Sequence, residues 1–144
     1  AVQSENSAAV VNALESGGEI IPVKSNTIAD SISVDLPRDG EKALAAVRHS
    51  NGFGILVSDE EILQAQLIMS SSTSIFCEPA SAAAYAGMLK AAKENRISNL
   101  DNIVVLATGT GLKDISSAAK NVQIPVSVSP NIESAEKSLK ELIH

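Results

Sequence analysis

The sequence predicts an α/β protein with a mostly parallel sheet and helices on both faces. Two apolar runs rich in β-branched residues, Phe53-Gly54-Ile55-Leu56-Val57 and Ile103-Val104-Val105-Leu106-Ala107, read as buried strands. Segments with helical spacing alternate with them, and that alternation argues for parallel strands. The third observation is compositional. Hydrophobic residues make up 44% of the chain but aromatics only 2%, namely Phe53, Phe76 and Tyr85. The core must therefore be built from Ala, Val, Ile and Leu, which suits helices packed closely on a sheet.

The elements follow from their punctuation. Residues 4–16 carry Ala8, Ala9, Val10, Ala13 and Leu14 at helical spacing, and Gly17-Gly18 stops that helix. The chain thus opens almost directly into a helix, as though a preceding strand had been cut away. Ile20-Ile21-Pro22-Val23 reads as a short edge piece because Pro22 cannot donate to a ladder. After the Pro37-Arg38-Asp39-Gly40 turn, Asp39 or Gly40 caps a helix that Asn51-Gly52 closes. Ser58 and Glu61 form a capping box for a helix running to about Ser70, burying Ile62, Leu63, Gln66 and Leu67. Residues 70–74 read as a loop and Ile75-Phe76-Cys77 as a short strand. Pro79 then occupies the first turn of an Ala-rich helix to about Asn95. Residues 124–128 are the last expected strand, and a final helix from about Asn131 places Ile132, Ala135, Leu139, Leu142 and Ile143 on one side. The sheet is expected to hold about four to five short strands, including those near 53–57, 103–107 and 124–128, and the whole reads as part of a larger fold.

Composition narrows the function classes. The net charge is −6, and the 11 Lys and Arg residues are scattered, so nucleic acid is not an expected partner. No apolar run approaches the ~20 residues of a membrane span. The single Cys77 excludes an internal disulfide and fits a reducing, cytoplasmic compartment. No basic-then-apolar leader is visible, and the absence of an initiator Met reads as a processed or excised segment. No His, Cys, Asp and Glu set has metal-ligand spacing, and Cys77 has no nearby His to make it a nucleophile.

The turn after the second strand, Thr108-Gly109-Thr110-Gly111-Leu112-Lys113-Asp114, lies where open α/β sheets collect small ligands. Its glycines permit positive φ and close approach of backbone to a ligand. It lacks the third glycine of a dinucleotide fingerprint. An ordinary strand-to-helix turn explains it equally well.

Four motifs, in order and at matching spacing, make the chain similar to threonine synthase and its relatives, the fold-type II pyridoxal-phosphate enzymes. They are Thr27-Ile28-Ala29-Asp30-Ser31-Ile32-Ser33-Val34 with Pro37-Arg38-Asp39-Gly40, then Val57-Ser58-Asp59-Glu60-Glu61-Ile62, then Ile75-Phe76-Cys77-Glu78-Pro79-Ala80-Ser81-Ala82-Ala83, then the 108–114 turn. The resemblance spans essentially the whole chain but only the C-terminal part of such an enzyme. It implies a single α/β unit over residues 1–144, from the C-terminal portion of the large domain. Enzymes of this type hold pyridoxal phosphate on a lysine in a Ser-Phe-Lys-Asp-type context and grip its phosphate with an upstream Gly-rich loop. None of the eight lysines here has that context. The chain alone is therefore expected to be inactive, to contain no catalytic residue, and to partner with an absent N-terminal part or with further copies of itself.

The same resemblance implies cofactor-binding roles for Thr108, Glu78, Ser81 and Gly109. Thr108 would present its hydroxyl to the cofactor's ring nitrogen, where a hydroxyl can donate to a neutral nitrogen. Its alternative is a cap for the following helix. Glu78 and Ser81 would line the pocket, or else cap their own helix and compensate its dipole. Asp30 reads as a turn former and His49 as a helix-end cation. Arg38, Lys24 and Lys113 could attract an anionic substrate or simply be solvated. Two function classes stay open. One is part of a lyase converting phosphohomoserine to threonine and phosphate, with threonine or serine dehydratases as near relatives. Ala80-Ser81, in place of the Ser-Gly of dehydratases, favours the synthase. The other is a non-catalytic domain binding a small ligand or partner chain.

Overall fold

The computed structural model describes residues 1–120, 122 and 127–142. Its sheet, among these residues, consists of two parallel strands, β1 (Val2–Ser4) and β2 (Ile55–Val57). They are paired Val2 to Ile55, Gln3 to Leu56 and Ser4 to Val57. The chain thus opens with a strand, and the first helix, α1 (Ala9–Ser16), starts later than its apolar spacing suggests. A three-residue strand is too short for a period-2 pattern to separate it from the helix that follows.

Helices cover both faces. Val2 lies against Gly87 of α4 (Pro79–Lys93), where an added Cβ would collide with the Val2 side chain. A mid-helix glycine costs about 0.5–1 kcal/mol relative to alanine, and this close strand–helix approach is what it permits. Gln3, pointing the other way, accepts from the N–H groups of Val10 and Val11 at 2.9 Å each, at the start of α1. α2 (Gly40–His49) packs on α1 through Val10, Ala13 and Leu44. Arg48 donates to the carbonyls of Ala13 and Gly18, satisfying the end of α1. Gly17, with φ of 68°, is the left-handed cap that stops α1.

The main core joins β2, α3 (Asp59–Thr73) and α4. Ile55, Val57, Ile62, Ala65, Met69, Cys77, Ala82, Ala83, Ala86 and Ala91 are buried together, with small residues bringing the α4 backbone close. The expected capping box is present: Ser58 Oγ accepts from Glu61 N at 3.1 Å, and Glu61 accepts from Ser58 N at 2.8 Å. Asp59 accepts from Thr27 Oγ1 and Ile28 N, docking the 23–36 loop against the start of α3. Buried Ser7 ties down the same loop through Ser25, Ile32 and Val34.

Several expectations are corrected. α3 continues to Thr73, because Ser71, Ser72 and Thr73 hydroxyls bond back to the carbonyls of Ile68 and Met69 instead of breaking the helix. Residues 20–23 form no strand; the Val23 N–H instead donates to Asp35 O at 2.9 Å. Asp39 occupies the N-cap position of α2 without a side-chain cap bond and pairs with Lys42 at 3.1 Å. Residues 103–107 form no strand or ladder, and Ile103, Val104 and Leu106 are exposed. Of the expected strand at 124–128, residues 124–126 lie outside the described residues, and Ser127 and Val128 carry no ladder. Asp114 caps a short helix, α5 (Ile115–Ala119), by accepting from Ser117 N. α6 (Ile132–Leu142) begins where expected, with Ile132 and Leu139 exposed; Ile143 lies outside the described residues.

Candidate functional site

The Gly-rich turn and the start of α4 are brought together by main-chain pairing. Glu78 N donates to Gly109 O at 2.9 Å and Gly111 N donates to Phe76 O at 3.0 Å. Between them Cys77 and Thr110 form an isolated antiparallel bridge, in place of a full strand at 75–77. The two segments lie side by side, though antiparallel at the point of contact. α3 supports this arrangement from beneath: buried Gln66 donates its amide to Cys77 O at 2.7 Å, and the Cys77 thiol lies 3.7 Å from the Met69 sulfur. Burial, then the neighbouring Glu78 charge, pushes the Cys77 thiol pKa up, so the thiol stays protonated and inert.

Ser81 sits in the first turn of α4, 2% exposed, and its hydroxyl gathers the turn. Its Oγ accepts from Thr108 N at 3.0 Å and Gly109 N at 2.8 Å, and lies 3.0 Å from Thr108 Oγ1. Thr108 itself is exposed. Capping of the 3₁₀ turn at Gly111–Lys113 falls to Thr110, whose hydroxyl accepts from Leu112 N. Thr108 is therefore not the cap of the following turn.

Glu78 makes no side-chain cap bond to its own helix. Its carboxylate is almost buried, and Lys113 Nζ lies 2.8 Å from Oε2, so the pair clasps the turn to α4. Gly109 fits flush against that carboxylate, and an added Cβ would collide with it. An added Cβ on Gly111 would strike the Phe76 ring. Neither glycine uses the positive φ its lack of a side chain permits; at both, side chains press against the backbone. Below the turn, hydrogen bonds from Ser117 and then Ser116 hold the Asp114 carboxyl below the usual carboxylate range.

Thr108, Glu78, Ser81 and Gly109 thus form one contiguous cluster. Lys113 joins it as the partner of Glu78 rather than as a freely solvated cation. His49 closes α2 and is exposed, and Asp30 opens a 3₁₀ turn. His144 lies outside the described residues. Among the described residues, no group of three or more His, Cys, Asp and Glu is placed to hold a metal ion. None of their helices is long and apolar enough to cross a membrane. Sequence reasoning places Gln66 in the core but misses that it and Thr110 support the site. A polar residue on the apolar stripe of α3 was the signal for Gln66.

Known proteins resemble this chain in sequence and fold. Residues 1–109 match the profile of a family described as pyridoxal-phosphate dependent enzyme. The threonine synthase of Methanocaldococcus jannaschii is 36% identical over 143 residues, covering 98% of this chain and 35% of that protein. Among solved structures, a threonine deaminase from T.th. is similar with TM-score 0.54 and 25% identity, covering 64% of this chain and 32% of that one. A fungal L-serine ammonia-lyase from Rhizomucor miehei shares the fold, with TM-score 0.61 and 23% identity, covering 83% of this chain and 39% of that one. The chain therefore spans about a third of the length of its relatives.

Proposed function

This chain belongs to the pyridoxal-phosphate dependent enzymes, and we propose that it forms the ring-nitrogen side of the cofactor site in a threonine-synthase-like lyase acting on phosphohomoserine. On this reading the chain is a C-terminal portion of the large domain, and the cofactor-bearing lysine and phosphate-gripping loop belong to the rest of a longer protein. The observation that carries the reading is that the hydroxyl of exposed Thr108 is held at 3.0 Å by buried Ser81. The residues fit the ring end of pyridoxal phosphate in donor chemistry. Thr108 offers an O–H, and the Glu78 charge is already engaged by Lys113.

When bound, pyridoxal phosphate supplies the electron sink for bond breaking at the substrate's α-carbon. The chain's own residues bind and orient. Thr108 would donate to the ring nitrogen, with Ser81 holding Thr108 and the Glu78–Lys113 pair keeping the turn pressed on α4. A hydroxyl, unlike a carboxylate, does not hold a proton on that nitrogen.

A second reading, a threonine or serine dehydratase, draws on the similarity to the T.th. threonine deaminase. The full-length protein discriminates them. With phosphohomoserine it should release phosphate and form threonine, and Thr108→Val should depress that rate strongly. Ammonia release from threonine or serine, without phosphate release from phosphohomoserine, would favour the dehydratase and overturn the synthase reading.

A further inference from the structure

We propose that Ser81 is a positioning residue that sets the direction of the Thr108 hydroxyl proton, so that the turn meets the cofactor ring as a hydrogen-bond donor. The proposal rests on the cofactor-site reading above and deepens it.

A serine hydroxyl has one proton to donate and two lone pairs to accept with. Ser81 Oγ has three polar neighbours: Thr108 N at 3.0 Å, Gly109 N at 2.8 Å and Thr108 Oγ1 at 3.0 Å. The first two are main-chain N–H groups, which can only donate. They occupy both lone pairs, so the Ser81 proton goes to Thr108 Oγ1. Ser81 is 2% exposed, so water does not offer it another arrangement. Thr108 Oγ1 then has one lone pair filled and its own proton free on its exposed side. A hydroxyl that accepts one hydrogen bond is polarised into a stronger donor and a weaker further acceptor. The two main-chain N–H groups thus act through Ser81 on the outward face of Thr108. That face favours an unprotonated ring nitrogen over a protonated one.

A merely structural serine would tether the turn without affecting ring protonation. The test loads the full-length protein with pyridoxal phosphate labelled with ¹⁵N in the ring and follows the nitrogen's shift against pH. In the native protein the nitrogen should protonate only toward the acid end of the accessible range, which gives the reference midpoint. Ser81→Ala lets the Thr108 hydroxyl reverse and accept, so the protonation midpoint should rise by about one pH unit, a tenfold change in the equilibrium. Should Ser81→Ala fail to fold, Ser81→Cys, close in shape with only a weak S–H donor, should raise the midpoint in the same direction. Thr108→Val separates the two levels of inference. If it moves the ring signal while the Ser81 variants titrate like the native protein, the positioning role is overturned and the site reading stands. If Thr108→Val leaves the ring signal unmoved, the site reading fails and takes this proposal with it.

Discussion

Among the described residues, the stretches 1–97 and 102–142 carry comparable apolar patterns, yet the first buries most of them and the second leaves most exposed. Val11, Val57, Ile62 and Ala82 are fully buried, whereas Val104, Leu112 and Ile132 are each at least 70% exposed. The first stretch packs its apolar residues against one another through β2, α3 and α4. The second is anchored chiefly at its turn, by pairing with residues 76–78, by Ser81 and by Lys113 on Glu78. An apolar run states what a segment requires, and burial depends on whether a neighbour supplies it. On the proposed reading, the remainder of the longer protein covers residues 103–106. The cofactor-facing turn lies at the boundary between the two regimes.

Truncating side chains in the two regions should show the largest contrast. Ile62→Ala removes a fully buried side chain and should cost about 2–5 kcal/mol of stability. Leu106→Ala, with Leu106 72% exposed, should stay within about 0.5 kcal/mol in the 144-residue chain. Urea unfolding of both variants gives the comparison directly. Equal costs would mean that residues 103–106 are packed in solution and would dissolve the contrast.

A smaller effect sharpens the boundary. Gly109→Ala drives a Cβ into the Glu78 carboxylate and should cost about 1–3 kcal/mol through overpacking. The loss should be partly relieved in the double variant with Glu78→Ala, which a double-mutant cycle measures. Additive effects would mean that the glycine is there for some other reason.

A modest loss is expected inside the well-packed region. Ser58→Ala removes the cap of α3 and should cost about 1 kcal/mol by thermal unfolding. Glu61, the other half of the box, is pushed up by burial, but the Ser58 N–H and Lys90 outweigh this and hold it below its usual range. A carboxyl lowered in the folded state stabilises fully above its unfolded pKa. That contribution is lost as pH falls through the folded value. Stability should therefore be flat in this respect near neutrality and decline in acid, with a weaker decline in Glu61→Gln. An equal decline in that variant would remove Glu61 from the account.

Much of the well-packed region is legible in the chain. Pro79, the Ser58–Glu61 box and Gly17 mark helix boundaries through local bonds that need no tertiary context. The strand expected at 103–107 rests on side-chain pattern, but a strand exists only where a neighbour supplies its ladder. The serine run at 70–74 misleads because hydroxyls can bond back to their own helix as well as compete with it. At the site, the grouping of Glu78, Ser81, Thr108 and Gly109 follows from resemblance. The work of Gly109 and Gly111 does not, since close packing against Glu78 and Phe76 leaves no trace in local spacing.

The central claim is that this chain supplies the ring-nitrogen side of a pyridoxal-phosphate site and not its covalent attachment. Borohydride trapping of the 144-residue chain with pyridoxal phosphate, followed by peptide mapping, tests it most directly. The account predicts no stoichiometric adduct on any of its eight lysines, with a specific adduct in the full-length protein mapping outside this segment. A specific, stoichiometric pyridoxyl adduct on one lysine of the 144-residue chain would contradict it.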